Sequence, residues 1–443
     1  MGTIGIVGLF LGILTLIIVS YKGFHAVPTS LLAGLVIMTF NCINIWTGFS
    51  ESWIGGMAVV FTNYYILFLV STLFANMMQL TGACETIADR FVKWFGKKHI
   101  LTVLTVFCFL LCYGGVSFFV IMFAIAPIGF SLFEELNIPR KMIIVSTAAG
   151  AGAFVLAAPG SPQIQNVIPT SMGTTLMAAP ILGIIMTLSG MALSIVLVEY
   201  IFKREMRMVE SGQAVGWEGG EQKYTRSQET TPNIVGGFLP LVVVIAIIIL
   251  GSYTIKDINA TMLAVIAMCT GIVVTIVLNF KYIAGIKSEI FKDWLSKGAV
   301  GAAGSALTLG AVVGFGTVVS KTAAFGDVVS WLMSLDISTY WKAVISTGSI
   351  AGICGSASSG EQLTMQYLGE YFVNSGCNLG ILHRLIANAS ITFDALPHAT
   401  GCFLMLSYFG LNHKKAYKYI FWLDVAVPVV VVAVATLICT LVY

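Results

Sequence analysis

Two short stretches of the chain combine small residues with hydroxyls: Gly114-Gly115-Val116-Ser117 and Gly355-Ser356-Ala357-Ser358-Ser359-Gly360. Glycine lets a ligand approach the backbone, and a serine hydroxyl both donates and accepts, so either stretch suits a small polar anion. A third, Ser161-Pro162-Gln163-Ile164-Gln165-Asn166, offers hydroxyl and amide groups without a charge. The few charges inside apolar surroundings are of a different kind. Glu361 adjoins the second Gly/Ser stretch, and Asp394 and His398 bracket Ala395-Leu396-Pro397. A charge at mid-bilayer costs about 2.5–3.5 kcal/mol on insertion scales, so its presence needs a reason. His398 is of the residue type that changes protonation near neutral pH. We therefore expect substrate contacts at Gly114, Gly115, Ser117, Ser161, Gln163, Asn166, Ser356, Ser358, Ser359 and Thr400, and ion coupling at Glu361, Asp394 and His398. Asp424 and Glu370 read as structural, within reach of an interface or a partner.

The surroundings of these residues are those of a bilayer protein. Of 443 residues, 58% are apolar and 10% charged, where an ordinary soluble domain carries about 25% charged residues. A soluble protein coats itself with polar groups, and this chain has too few to do so. The composition excludes a cytosolic enzyme, a secreted disulfide scaffold, a disordered chain and a nucleic-acid binder. The net charge of +3 is too small to mark an anionic macromolecular partner. The chain reads as an all-α polytopic membrane protein, long enough for about ten to twelve spans. Its nine cysteines show no CxxC or metal spacing and read as small buried hydrophobes, so no metal or cofactor is expected beyond a coupling ion. Residues 3–20 follow no basic n-region and read as a first span, not a cleaved signal.

The apolar runs come in an order that repeats. They cover 3–20, 27–45, 56–78, 100–133, 142–158 and 175–202, then 235–252, 261–280, 298–320, 342–372, 382–393 and 420–442. Between the halves, 203–231 is polar, with five basic and five acidic residues, and reads as a linker. Trp53 matches Trp294, Thr81-Gly82-Ala83 matches Thr322-Ala323-Ala324, Cys112 matches Cys354, and Arg140 matches Arg384, all at offsets of 241 to 244 residues. That register predicts a duplication, with repeats at 1–202 and 232–443. In each half one run is too long for one span and carries glycines near its middle. These runs, 100–133 and 342–372, are expected to be re-entrant helical hairpins. The next segment of each half, about 142–174 and about 382–410, is expected to be a helix broken at its proline-containing stretch, since Pro removes a donor and clashes with the preceding turn. Counting the hairpins as non-crossing leaves five spans per half, so the repeats are expected to be inverted. Gly298, Gly301, Gly304, Gly310 and Gly314 read as helix-packing positions. The amphipathic stretches 80–97 and 281–297 are expected to lie along the interface, with Phe91, Trp94 and Phe95, or Trp294, facing lipid or protein.

Basic residues test this parity. Nineteen of 23 fall on one side, in 22, 90–98, 140–141, 203–226, 281–297 and 414–418; Lys256, Lys321, Lys342 and Arg384 fall on the other. The positive-inside rule then places the linker in the cytoplasm and both termini outside.

An inverted repeat with broken helices is the pattern of a secondary transporter, since broken ends offer N–H groups and positive dipoles to an anion and free carbonyls to a cation. The runs Pro159-Gly160-Ser161-Pro162, Leu396-Pro397-His398 and Gly410-Leu411-Asn412-His413-Lys414-Lys415-Ala416-Tyr417 resemble the gluconate permease (GntP) family, within the wider ion transporter superfamily. The resemblance spans essentially the whole chain. It implies a cation-coupled, usually proton-coupled, symporter of small organic acids in a bacterial inner membrane, homodimeric through a scaffold domain, with the hairpins in a moving transport domain. Gluconate-type members carry His-Pro-Gly-Pro where this chain has Ala158-Pro159-Gly160-Ser161, and Pro-His-Asn-Gly where it has Pro397-His398-Ala399-Thr400. The continuation to Asn166 is similar to members assigned to short hydroxy acids such as 3-hydroxybutyrate, so a short hydroxy- or keto-monocarboxylate is expected. Sodium coupling is the alternative within the transporter class, and a passive anion channel is the alternative outside it. There is no HExxH, no GxGD and no serine with a sequence-marked base, so no enzyme is expected.

Overall fold

The computed structural model describes residues 2–95, 97–113, 118–152, 157–160, 167–218, 231–255, 260–283 and 288–442. Among these the secondary structure is helical and contains no strand. The apolar runs supply the helices, and glycine, proline and capping side chains end them. Helices α1 (Gly2–Tyr21) and α2 (Ala26–Phe40) are joined at His25, whose Nδ1 accepts from the Val27 N–H at 3.4 Å and caps α2. A π-turn over Gly48–Trp53 leads into α3 (Ile54–Leu80), followed by α4 (Ala83–Phe95), α5 (Ile100–Tyr113), α6 (Phe118–Glu135), α7 (Met142–Ala151), α8 (Val167–Met172) and α9 (Pro180–Glu210). The second half begins with α10 (Ile234–Thr254), α11 (Ala260–Leu278), α12 (Ser288–Ser320) and α13 (Ala323–Ser334). It closes with α14 (Thr339–Cys354), α15 (Ala357–Val373), α16 (Leu379–Ser390), α17 (Thr400–Tyr408), α18 (His413–Ile420), a π-turn over Phe421–Ala426, and α19 (Val427–Val442).

Among the described residues, six helical stretches are long and apolar enough to cross a membrane: Gly2–Tyr21, Ile45–Leu80, Pro180–Glu210, Thr261–Leu278, Phe291–Ser320 and His413–Val442. Ala26–Phe40, Ile100–Tyr113, Met142–Ala151 and Ile234–Ile248 are apolar but shorter. The chain is a multi-pass membrane protein. In each half a short helix, Ala83–Phe95 or Ala323–Ser334, precedes two further helices, Ile100–Tyr113 and Phe118–Glu135 in the first and Thr339–Cys354 and Ala357–Val373 in the second.

The chain folds into two units that cut across these sequence halves. One comprises Met1–Thr62, Gly152–Ser194 and Leu307–Tyr443; the other comprises Asn63–Ala151 and Ile195–Ala306. In the first, Gly314 lets α12 meet the start of α3: a Cβ on it would lie 2.4 Å from the Trp53 carbonyl oxygen. In the second, Gly298 faces Leu73 in the same helix pair, which bears out the packing reading for these two glycines.

Three expectations change. The stretch 281–297 is not one separate interfacial helix: from Ser288 it forms the first turns of α12, which runs unbroken to Ser320. Trp294 is buried there with Leu73, Met77 and Leu80, and its indole N–H donates to the Leu73 carbonyl at 3.1 Å, so it faces protein. The helix starting at Met142 stops at Ala151, ahead of Pro159. Arg384, counted from sequence among the basic residues of the outer side, lies inside α16 and is wholly buried, because backbone carbonyls of its own unit satisfy its guanidinium.

Candidate functional site

Hairpin α14–α15, helices α8, α16 and α17, and the turn 391–399 all belong to the first unit. The hairpin reverses in two residues. Gly355 takes the left-handed conformation (φ +63°) that ends α14, a geometry that costs a side-chain-bearing residue about 1 kcal/mol or more. Ser356 then caps α15, its Oγ accepting from the Ser359 N–H at 3.4 Å. The arms touch closely, since a Cβ on Gly360 would lie 2.4 Å from the Ala351 Cβ. Ser358 and Ser359 are exposed and Ser356 is half-buried, so the tip presents hydroxyls beside the N-terminal turn of α15.

The turn 391–399 is fastened to this tip at several points. His398 is 2% exposed, and its Nε2 donates to the Gly352 carbonyl at 2.6 Å. Thr400 donates to the Gly355 carbonyl from both its backbone N–H and its hydroxyl, each at 3.0 Å, so its hydroxyl proton is already committed to the protein. Asp394, partly exposed, accepts from the Ala357 N–H in the first turn of α15. Glu361 lies one residue past the tip and is wholly buried; its Oε1 accepts from the Ser390 hydroxyl at 3.0 Å, and its Oε2 has no partner. The structure therefore brings Ser356, Ser358, Ser359, Glu361, Asp394, His398 and Thr400 together around one tip. Gly114, Gly115 and Ser117 of the other tip, and Ser161, Gln163 and Asn166, lie outside the described residues.

Two side-chain clasps were missed by sequence reasoning. Arg384 donates to the carbonyls of Ala157 (2.6 Å), Leu176 (3.0 Å) and Ala178 (2.7 Å), on both sides of α8. Beside it His383 meets the Thr174 hydroxyl at 2.7 Å. In the second clasp, His413 Nε2 donates to the Pro397 carbonyl at 2.7 Å and the Tyr417 hydroxyl to the Ala395 carbonyl at 3.2 Å. These two sit four residues apart on one face of α18, a spacing visible in the sequence but without a visible target. Together the clasps satisfy backbone carbonyls that irregular segments leave free, as a bilayer requires. Among the described residues no group of three or more His, Cys, Asp or Glu could hold a metal ion.

Comparison with known proteins gives a consistent picture. A family profile described as GntP family permease matches residues 4–443. The uncharacterized transporter YxjC of Bacillus subtilis (strain 168) is 27% identical over 446 residues, covering 92% of this chain and 93% of that protein. The crystal structure of the Alcanivorax borkumensis YdaH transporter, described as having an unusual topology, aligns with 88% of this chain and 87% of its own at 11% identity and a TM-score of 0.42, too weak a likeness to transfer its arrangement.

Proposed function

The chain belongs to the GntP family of permeases and is a membrane transporter, not an enzyme, and we propose that it is a proton-coupled symporter of a short hydroxy- or keto-monocarboxylate, such as 3-hydroxybutyrate, working by alternating access. The observation that carries this reading is the α14–α15 tip, where hydroxyls and a helix N-terminus adjoin Glu361, Asp394 and His398. Helix N-terminal N–H groups and hydroxyls favour a carboxylate, and ionisable groups beside them give a coupling proton somewhere to reside. Gly114, Gly115, Ser117, Ser161, Gln163 and Asn166 complete the substrate contacts in this proposal. The recurring helix order supports an inverted repeat of five spans per half with re-entrant hairpins, in a bacterial inner membrane, as a homodimer.

Uptake into proteoliposomes tests it, with a panel of carboxylates and an imposed proton or sodium gradient. A proton gradient should drive accumulation of a short monocarboxylate. Uptake driven by sodium alone would remove the proton from the mechanism, and single-channel conductance far above carrier turnover would replace the carrier by a channel.

A further inference from the structure

We propose that Glu361, on α15 of the α14–α15 hairpin, is the group that carries the coupling proton, on Oε2, while Asp394 and His398 hold the tip in place. This rests on the proton-symport reading above and narrows it from three residues to one.

Glu361 has no exposed surface, and one hydroxyl, Ser390 Oγ, is the hydrogen-bond donor to its carboxyl group. An ionised carboxylate is costly in such a place unless a cation or several donors compensate it. A proton on Oε2 removes the charge, but its O–H then needs an acceptor. The hairpin places two unpartnered hydroxyls nearby in sequence and register. Gly360 lies against Ala351, and Lys342 Nζ stands 5.2 Å from the Tyr371 ring centroid, so the antiparallel arms place Thr347 opposite Thr364. Thr364 is three residues past Glu361, on the same face of α15. Both threonines are wholly buried, and neither hydroxyl has a partner. Helical threonines usually donate to the carbonyl four residues back, as Thr436 does at 2.6 Å, and these two do not. Their lone pairs are unused, and in this proposal the Oε2 proton finds an acceptor among them by rotation of the Glu361 side chain.

The titratable groups on the neighbouring elements have other engagements or positions. On α14 they are Tyr340 and Lys342 at the far end of the arm and Cys354 at the tip. On α16, His383 is bonded to Thr174, and Arg384 to the three carbonyls. Helix α8 has none. In the turn, Asp394 is tied to the Ala357 N–H and His398 to the Gly352 carbonyl. On α15 itself Tyr367, Glu370 and Tyr371 lie toward the opposite end. In the transport step an O–H bond forms at Oε2 while the hairpin interior is open to one side and breaks when it opens to the other. One proton moves with each monocarboxylate anion, and no other bond changes.

Infrared spectroscopy of the purified protein in nanodiscs reads this without substrate. At neutral pH the wild type should show a carboxylic-acid C=O stretch, sensitive to deuterium exchange, that is lost in Glu361→Gln. In Thr364→Val the same band should shift as the acid loses an acceptor, which keeps the test decisive if the Gln variant does not fold. In proteoliposomes with an inside-alkaline gradient and labelled 3-hydroxybutyrate, Glu361→Gln should fall to the accumulation of empty liposomes while still exchanging label under counterflow, which needs no net proton movement. A missing acid band, or accumulation by Glu361→Gln equal to the wild type, overturns the assignment and leaves symport standing. Failure of the wild type to respond to the pH gradient overturns the symport reading itself, and the assignment with it.

Discussion

At Arg384 a guanidinium with no exposed surface closes off three backbone carbonyls, those of Ala157, Leu176 and Ala178. Its planar fork reaches several acceptors at once, which a lysine ammonium at the same place cannot do. Replacing it by methionine orphans these carbonyls in a buried setting, each at about 1–3 kcal/mol. We expect Arg384→Met to lower stability by about 3–5 kcal/mol, and Arg384→Lys by less but measurably, read as loss of thermal stability of the detergent-solubilised protein. A variant as stable as the wild type would show that these contacts contribute little. From sequence, Arg384 stands near the start of the apolar run 382–393 and counts among the charges of the outer side. An arginine's partners here are carbonyls more than 200 residues away in the chain, and no residue type marks them. The tip at 355–360 was legible for the opposite reason: glycines and serines interrupt an apolar run and carry their turn and cap chemistry with them.

Among the elements, the hairpin depends on how closely its arms approach. Gly360 makes that contact possible, because any Cβ there would lie 2.4 Å from the Ala351 Cβ and 2.6 Å from its Cα, and a backbone atom cannot move aside as a flexible side chain can. Gly360→Val should therefore wedge the arms apart at the turn that carries Glu361 and lose uptake in proteoliposomes, while Gly326→Val, on open space in α13, should keep it. Equal uptake by the two variants would show that arm spacing is not critical. Helix α18 works on the turn from its other side. Tyr417→Phe removes the donor to the Ala395 carbonyl and should cost about 1 kcal/mol, with a larger loss for His413→Ala, which also opens space beside Phe403. Thermal melting checks the order of the two. Element order was readable from runs and breaks, but helix ends were not. Pro159 suggested a break eight residues beyond where α7 stops at Ala151, because a proline marks where a helix cannot continue and not where tertiary contacts end it.

For the whole molecule, the distribution of charge carries the topology. Within the second unit, Lys141 pairs with Glu205 at 2.5 Å, His99 and Lys203 meet Glu199 at 3.3 and 3.7 Å, and the Asn137 side chain accepts from the Trp217 N–H at 3.0 Å. The segment entering α5 and the segment leaving α6 therefore meet the same stretch, 199–217, at one end of that unit. Those contacts suit the proposed return of 100–135 to the side it left, which the count of basic residues also favours. We propose the cytoplasmic orientation of that end from its excess of lysine and arginine. In a background with the nine native cysteines replaced, a single cysteine from Lys98→Cys or Gln213→Cys should react with a membrane-impermeant maleimide only in inverted vesicles. Lys321→Cys, exposed in the turn after α12, should react in intact cells. The reverse pattern would invert the assignment, whereas Lys98→Cys and Gln213→Cys labelling from opposite sides would break the shared end itself. Because Lys98 adjoins His99 and Gln213 lies within the contacted stretch 199–217, they should label from the same side even if the orientation is reversed, so one experiment separates the geometry of the unit from its direction in the membrane.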